Sequence, residues 1–431
     1  MAKYKIIGNM TGNSMDAIDL VLTEFDGDKM TDLCTYTKPY DKDMQCKMEY
    51  LRANVRQKTR QEILSVPRFA EIHNAYVRQV AACIGDMLEV NKIAKTEIDA
   101  IGFHGKTLDH NPPSVAREKG TLAYTLQIGS GQMLANLTGI RVIYDFRSAF
   151  LKAGFDGAPL AAAHNARVSA AEGDGCYYNG GNTSNFAWII DGRAAVSADA
   201  GPFNEYTDNF MRRYADMPYD KDGRYGKNGS LDKVLLQKLF DAGRRYYELP
   251  LPKSGDPQYY DKNLVFAAIE RQYGRLDPQE GAFGTIVHTL EYFAAYVAVQ
   301  ALSLTDKRLK LPEQVVLFGG GWKNPVVRQS FERLLAGKGY VLPEHEAAFA
   351  TFLNRFSKMP QVRYSVWGEF MEARLFADLA RCYLEGKAWE IPEVIAGGRR
   401  IVCGREAVPE PGREYYSDMV NAACCGWQSE R

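Results

Sequence analysis

The chain opens on an apolar run, Tyr4–Asn9, that breaks at Gly12-Asn13-Ser14 and resumes over Ala17–Phe25. Asp26-Gly27 leads into a third run, Thr31–Thr37, and an Asp-Gly pair between alternating runs predicts a β-hairpin. The pattern recurs in the second half. Cys176-Tyr-Tyr-Asn179 enters a turn at Gly180-Gly181-Asn182-Thr183-Ser184, and Phe186–Ile190 leaves it. This hairpin echo is the internal repeat visible in the sequence. Shorter apolar runs predict strands over Ile98–His104, Ile140–Phe146, Ala194–Ala198 and Val315–Phe318. Three- and four-residue spacing predicts helices over Val66–Leu88, Phe203–Tyr214, Leu231–Ala242, Gln279–Leu304 and Trp367–Leu384.

The turns between these elements carry the candidate chemistry. Glycine, asparagine, threonine and serine expose backbone N–H groups and small hydroxyls, which suits phosphate oxygens. Gly12-Asn13-Ser14-Met15-Asp16 is the first such turn, and Asp16 could hold Mg2+ through water. Gly180, Gly181 and Asn182 mark the second. The third, Gly319-Gly320-Gly321 with Asn324, lies between a strand and a helix, where adenine or ribose could lie against bare backbone. Each turn alone also reads as an ordinary hairpin or strand-to-helix connection; the three in this order are more specific. Asp199, after a strand and before a helix, is a candidate general base or a helix N-cap. Glu372, flanked by Met371 and Ala373 on an apolar helix face, calls for a metal, a ligand network or exposure to solvent. His104-Gly105-Lys106-Thr107 and Asp156-Gly157-Ala158-Pro159 look like sugar- or carboxylate-binding edges, with Arg147 as a fork for an acid group. The remaining histidines have no metal-ligand spacing and read as packing or surface residues.

Composition narrows the classes. At 431 residues the chain is long enough for two domains, expected as residues 1–140 with the tail from about 390 to 431, and residues 141–389. The 53 basic and 53 acidic residues cancel, so no strong field draws nucleic acid or an anionic membrane. The N-terminus lacks the apolar core of a signal peptide, and the greasy stretch Tyr292–Leu304 is too short to span a bilayer. Eight cysteines without a Cys-x-x-Cys pair fit a reduced, cytoplasmic thiol set.

With these motifs in place the sequence resembles the anhydro-N-acetylmuramic acid kinases, a family of the sugar kinase, Hsp70 and actin fold. Gly8–Asp19 is similar to the family's first phosphate motif, His104-Gly-Lys-Thr107 to its His-Gly-Gln-Thr, and Asp156–Leu160, Tyr219–Asp222, Lys253-Ser-Gly255 and Gly319–Pro325 to further blocks. The resemblance implies a two-lobed α/β, ribonuclease H-like ATPase fold with a nucleotide cleft between the lobes. It also implies ATP and Mg2+ as cofactors, a homodimer, and a role in peptidoglycan recycling and amino sugar metabolism. The implied reaction opens 1,6-anhydro-N-acetylmuramic acid with water and phosphorylates the freed O6. By position, Asp199 would activate the water and Asp16 and Glu372 would be the metal-associated carboxylates, while Asp19 belongs to the nucleotide motif. The chain departs from the family at Asn13, in the shortened second hairpin, and at Phe203, where the family has glycine. These departures keep two alternatives open: a kinase for another anhydrosugar such as levoglucosan, and a nucleotide-binding homologue that does not catalyse.

Overall fold

The computed structural model describes residues 3–12, 17–56, 58–255, 261–274, 276–410, 412 and 419–424. The chain divides into two compact units, Met1–His164 with Phe370–Arg431, and Asn165–Glu369. The division falls at His164 and Phe370 rather than near 140 and 389. Sheet pairing explains the first shift, because Val142–Tyr144 joins the first unit's sheet beside Ala100–Phe103. The helix Met371–Leu384 explains the second, since it packs on that same sheet.

Fourteen strands are described: β1 Lys3–Thr11, β2 Ala17–Asp26, β3 Lys29–Pro39, β4 Ala100–Phe103, β5 Lys106–Asn111, β6 Tyr124–Ile128, β7 Val142–Tyr144, β8 Gly175–Gly180, β9 Thr183–Ile190, β10 Arg193–Pro202, β11 Gln314–Phe318, β12 Gln361–Tyr364, β13 Arg405–Ala407 and β14 Val420–Cys424. The first unit's main sheet runs β13-β7-β4-β1-β2-β3, and the second unit's runs β10-β9-β8-β11-β12. In both, three strands in antiparallel succession are followed by two that join in parallel beside the first. Each unit thus carries the strand order 3-2-1-4-5 of a ribonuclease H-like sheet. The fold class expected from the sequence is borne out, and the repeat extends from the hairpin to the whole sheet. The tail adds β13 antiparallel to β7, and β14 antiparallel to β6 in a small sheet with β5.

Most predicted elements appear with shifted ends: Phe69–Val90, Asn204–Ala215, Lys233–Tyr247, Gly281–Ser303 and Met371–Leu384 are helical. The helix Gly281–Ser303 is, by length and composition, apolar enough to cross a membrane, which corrects the shorter stretch read from the sequence. Its Tyr292–Leu302 segment is buried throughout, in the second unit's core.

One close approach organises the first unit. Gly8 of β1 and Gly102 of β4 are register partners, and both face the helix Met371–Leu384. A Cβ on Gly8 would stand 1.9 Å from the Ala373 carbonyl oxygen, and one on Gly102 2.1 Å from that of Phe376. The same helix buries charge with its partners beside it. Arg374 donates to Asp32, and Asp378 meets both His164 Nδ1 and Arg381 Nη2 at 3.0 Å. Gly8→Ala is expected to lower the unfolding free energy by about 3 kcal/mol or more, because backbone cannot move aside as a side chain can. A urea unfolding midpoint equal to that of the unmodified protein would refute this account.

Candidate active site

In the second unit, two glycine turns and the end of β10 come together. β10 pairs antiparallel with β9, which sets Asp199 opposite Asn185 and, past a bulge, Gly201 opposite Ser184. The chain then crosses the tip of the β8–β9 hairpin. Phe203 N–H and Glu205 N–H donate to the Asn182 carbonyl at 2.9 and 3.1 Å, and Asn204 N–H to that of Gly181 at 3.1 Å. These N–H groups open the helix Asn204–Ala215 and would otherwise lack partners. The hairpin therefore caps the helix that follows Asp199, which is the role the N-cap alternative had given to Asp199 itself.

Phe203, the departure that raised concern, points into the core. Its ring lies 4.6 Å from that of Trp322, whose indole N–H donates to the Tyr178 carbonyl at 3.1 Å. The two rings form a floor beneath both glycine turns: a Cβ on Gly180 would meet Phe203 and Trp322 at 2.6–2.7 Å, and one on Gly321 would meet Phe203 at 2.7 Å. Gly319, at φ +92°, sits against Asn179 and the Gly180 backbone. Gly320 has nothing within 4 Å of where its side chain would start, and Gly181 only the Thr183 carbonyl at 3.6 Å. The outer faces of both turns are thus bare backbone. Asn324 Oδ1 caps the helix Pro325–Leu335, accepting from Val326 at 2.9 Å, while its Nδ2 donates to Glu291 Oε1 at 2.5 Å. Its amide is engaged within the unit. Burial and the neighbouring Asp220 push the Glu291 carboxyl well above the ordinary range.

Asp199 is partly exposed, and its carboxylate accepts the Gly255 N–H at 2.6 Å. Its own N–H donates to the Lys253 carbonyl at 2.9 Å, and the Tyr246 hydroxyl donates to its carbonyl at 3.3 Å. A carboxylate held by a backbone donor yet open to solvent can take a proton from a water beside it. Sequence reasoning quoted Lys253 without a role; no spacing rule connects it to a strand some fifty residues earlier.

The expected sugar-binding edges meet in the first unit. Arg147 donates from Nη1 to the Gly157 carbonyl at 2.7 Å, and Nη2 lies 3.4 Å from His104 Nε2. Thr107 Oγ1 is 3.5 Å from the same nitrogen. Arginine only donates, so Nε2 accepts and the neutral ring carries its proton on Nδ1. Burial, then Arg147 and Lys106, hold the His104 pKa well below its ordinary value. Gly105, at φ +72°, lies against the Ile128 carbonyl. Asp156 accepts from Ser114, from its N–H at 2.9 Å and its hydroxyl at 2.5 Å. Ala158 and Pro159 follow Gly157 in the same segment, before the helix Ala161–Glu172.

Gly12 ends the described part of the first turn, and its carbonyl accepts from the buried Lys106 Nζ at 2.7 Å. Lys106, expected only as part of the His104–Thr107 edge, thus ties that edge to the first glycine turn. The expectations for Asn13, Ser14, Met15 and Asp16 fall outside the described residues. Asp19 accepts from the Thr37 hydroxyl at 2.8 Å. Glu372 is half-buried in the first turn of its helix, where the N-terminal dipole favours a carboxylate. Among the described residues no group of three or more His, Cys, Asp or Glu side chains could hold a metal ion.

A sequence profile of the family described as Anhydro-N-acetylmuramic acid kinase matches residues 4–405. The chain belongs to the anhydro-N-acetylmuramic acid kinase family. It is 31% identical over 407 residues to the anhydro-N-acetylmuramic acid kinase of Brucella anthropi, covering 92% of this chain and 98% of that protein. It is 30% identical over 418 residues to the protein of that name from Mesorhizobium japonicum, covering 93% and 98%. A ROK family glucokinase from Streptomyces griseus, solved with glucose and AMPPNP, shares 14% identity at a TM-score of 0.36, covering 88% of this chain and 99% of that one. Membership in the family makes the chain a phosphotransferase with an alcohol acceptor, as the resemblance implied.

The enclosed histidines give a pH signature. His110 Nε2 is buried without a partner among the described residues, and burial, then Arg147, push the His110 pKa down to about 3. An unfolded histidine takes its proton near 6.5, so between pH 6.5 and 3 the unfolded chain binds more protons than the folded one. Stability should fall as pH drops through that window. The urea midpoint of the unmodified protein should decline more steeply there than that of His110→Asn, and parallel declines would exclude the mechanism.

Proposed function

We propose that the chain is an ATP-dependent kinase that opens 1,6-anhydro-N-acetylmuramic acid and yields N-acetylmuramate 6-phosphate, acting in cytoplasmic cell-wall recycling as a homodimer. The observation that carries this reading is the Asp199 carboxylate, held by the Gly255 N–H at the end of β10 in a chain matched to the family over residues 4–405. The bare faces of Gly181 and Gly320 fit a nucleotide, since a side chain at either would stand where phosphate or ribose must approach. Mg2+, when bound, would neutralise phosphate charge, and Asp16 and Glu372 are the carboxylates that the family resemblance associates with it.

The chemistry asked of this chain's own groups is limited. Asp199 takes a proton from a water molecule as that oxygen bonds to the anomeric carbon. The bond from that carbon to O6 breaks, O6 accepts the γ-phosphoryl group of ATP, and ADP departs. Backbone N–H groups of the glycine turns orient the nucleotide, and Asn182 and Asn324 hold those turns in place through the contacts described above. His104, Gly105, Thr107, Arg147 and the Asp156–Pro159 segment would bind the sugar. The Arg147 guanidinium favours an acidic sugar over levoglucosan, which has no carboxylate for it to meet.

Purified protein given MgATP and 1,6-anhydro-N-acetylmuramic acid should release the phosphosugar, and Asp199→Asn should reduce turnover by about 10²–10⁴-fold. Equal product from both proteins would exclude Asp199 as the base. Tight ATP binding by calorimetry without turnover on any anhydrosugar would favour the non-catalytic alternative.

A further inference from the structure

Lys253 is 4% exposed, an unusual place for an ammonium group. Its surroundings explain how it is accommodated. Nζ donates to the carbonyls of Tyr246 at 3.0 Å and Tyr247 at 2.8 Å, in the last turn of the helix Lys233–Tyr247. These are carbonyls that helix geometry leaves without an internal partner, at the negative end of the helix dipole. The ammonium also lies 4.7 Å from the centre of the Tyr246 ring, a cation–π contact.

The same short segment grips Asp199 on two sides. The Lys253 carbonyl accepts the Asp199 N–H, and two residues on the Gly255 N–H donates to the Asp199 carboxylate. Tyr246, whose carbonyl Lys253 holds, reaches the Asp199 carbonyl with its hydroxyl. Helix end, lysine and strand end thus close one loop of contacts, with the ammonium at its centre.

We propose that Lys253 is a positioning residue for the phosphotransfer, its side chain pinning the Lys253–Gly255 segment to the helix Lys233–Tyr247 so that this segment holds the Asp199 carboxylate in one orientation. The proposal rests on the reading of Asp199 as the base. It adds that a second, buried side chain sets how well that base works. Charge enters as well as geometry. Burial lowers the Lys253 pKa to about 7, and the field of Asp199 acts against that fall. The interaction is mutual, so the ammonium favours the ionised form of Asp199. Among the described residues, the groups shown around the Lys253 ammonium are Asp199 from β10, whose field acts on it, and Tyr246 and Tyr247 from the helix.

The test compares Lys253→Met and Lys253→Gln with the unmodified protein and with Asp199→Asn, all with MgATP and 1,6-anhydro-N-acetylmuramic acid. Lys253→Met should lower kcat by about 10–100-fold, the scale of a misplaced catalytic group, with KM for either substrate changed by less than about threefold. The acid limb of its kcat–pH profile should move to higher pH, because the base has lost its counter-charge. Lys253→Gln keeps donors for the two carbonyls and loses the charge. It should retain more of kcat than Lys253→Met and show the same shift of the acid limb, which a purely structural role would not produce. It also carries the test if the Met variant fails to fold. An inactive Asp199→Asn beside Lys253 variants of unchanged kcat and acid limb would overturn the proposal while leaving the base assignment intact. An active Asp199→Asn would instead remove the reading on which the proposal rests.

Discussion

The first unit depends on a contact between backbone and backbone. Gly8 and Gly102 lie side by side on parallel strands, and the helix Met371–Leu384 descends to where their side chains would be. At that depth the helix is buried on all sides, so its polar residues need partners within the fold. Arg374 finds Asp32, while Asp378 is shared by Arg381 and His164. Seating also fixes Glu372, one residue into the helix, next to the strand that leads to the first glycine turn. A residue with no side chain thereby decides where a carboxylate stands more than 360 positions later.

The second unit repeats the sheet and changes the filling. Glycines again allow the close approach, but here they rest on aromatic rings, Phe203 and Trp322, instead of a helix backbone. The rings are continuous with a core of Tyr178, Phe331 and Phe293, which makes the floor under the turns stiff. Phe203 in place of the family's glycine therefore adds to the core. On the other side of β10, Asp199 faces the Lys253–Gly255 segment. The strand end is thus gripped by hairpin carbonyls past residue 202 and by a loop at residue 199, and the bulge between Asp199 and Gly201 lets both grips operate.

Periodicity located the long helices because each has a face that must be apolar, and the Asp-Gly and Gly-Gly turns located both hairpins. It missed β5, β6 and β12, which are short and carry mixed polar residues such as His110, Gln127 and Arg363. Their partners lie on other strands, and only those partners make a polar strand worth forming. The candidate site was legible where chemistry coincides with a turn, as at Gly180, Gly319 and Asp199. It was illegible at Lys253, whose ammonium group is buried and bonded to main-chain carbonyls that have no sequence signature, and at Lys106 the motif was legible but its bond to the Gly12 carbonyl was not.

Both glycine hairpins and the order of the motifs were determined by the sequence alone, because alternation and turn residues are local properties of a chain, and the motif order carried the resemblance to the family that implied a ribonuclease H-like fold. The tertiary structure decided which unit owns the helix Met371–Leu384, that Phe203 faces inward, that Asn324 is committed to a helix cap and Glu291, and that Asp199 is clamped by the Lys253–Gly255 segment. Those outcomes depend on burial and on hydrogen bonds between residues far apart in the chain. Such bonds become favourable only when the surrounding fold has excluded water from both partners.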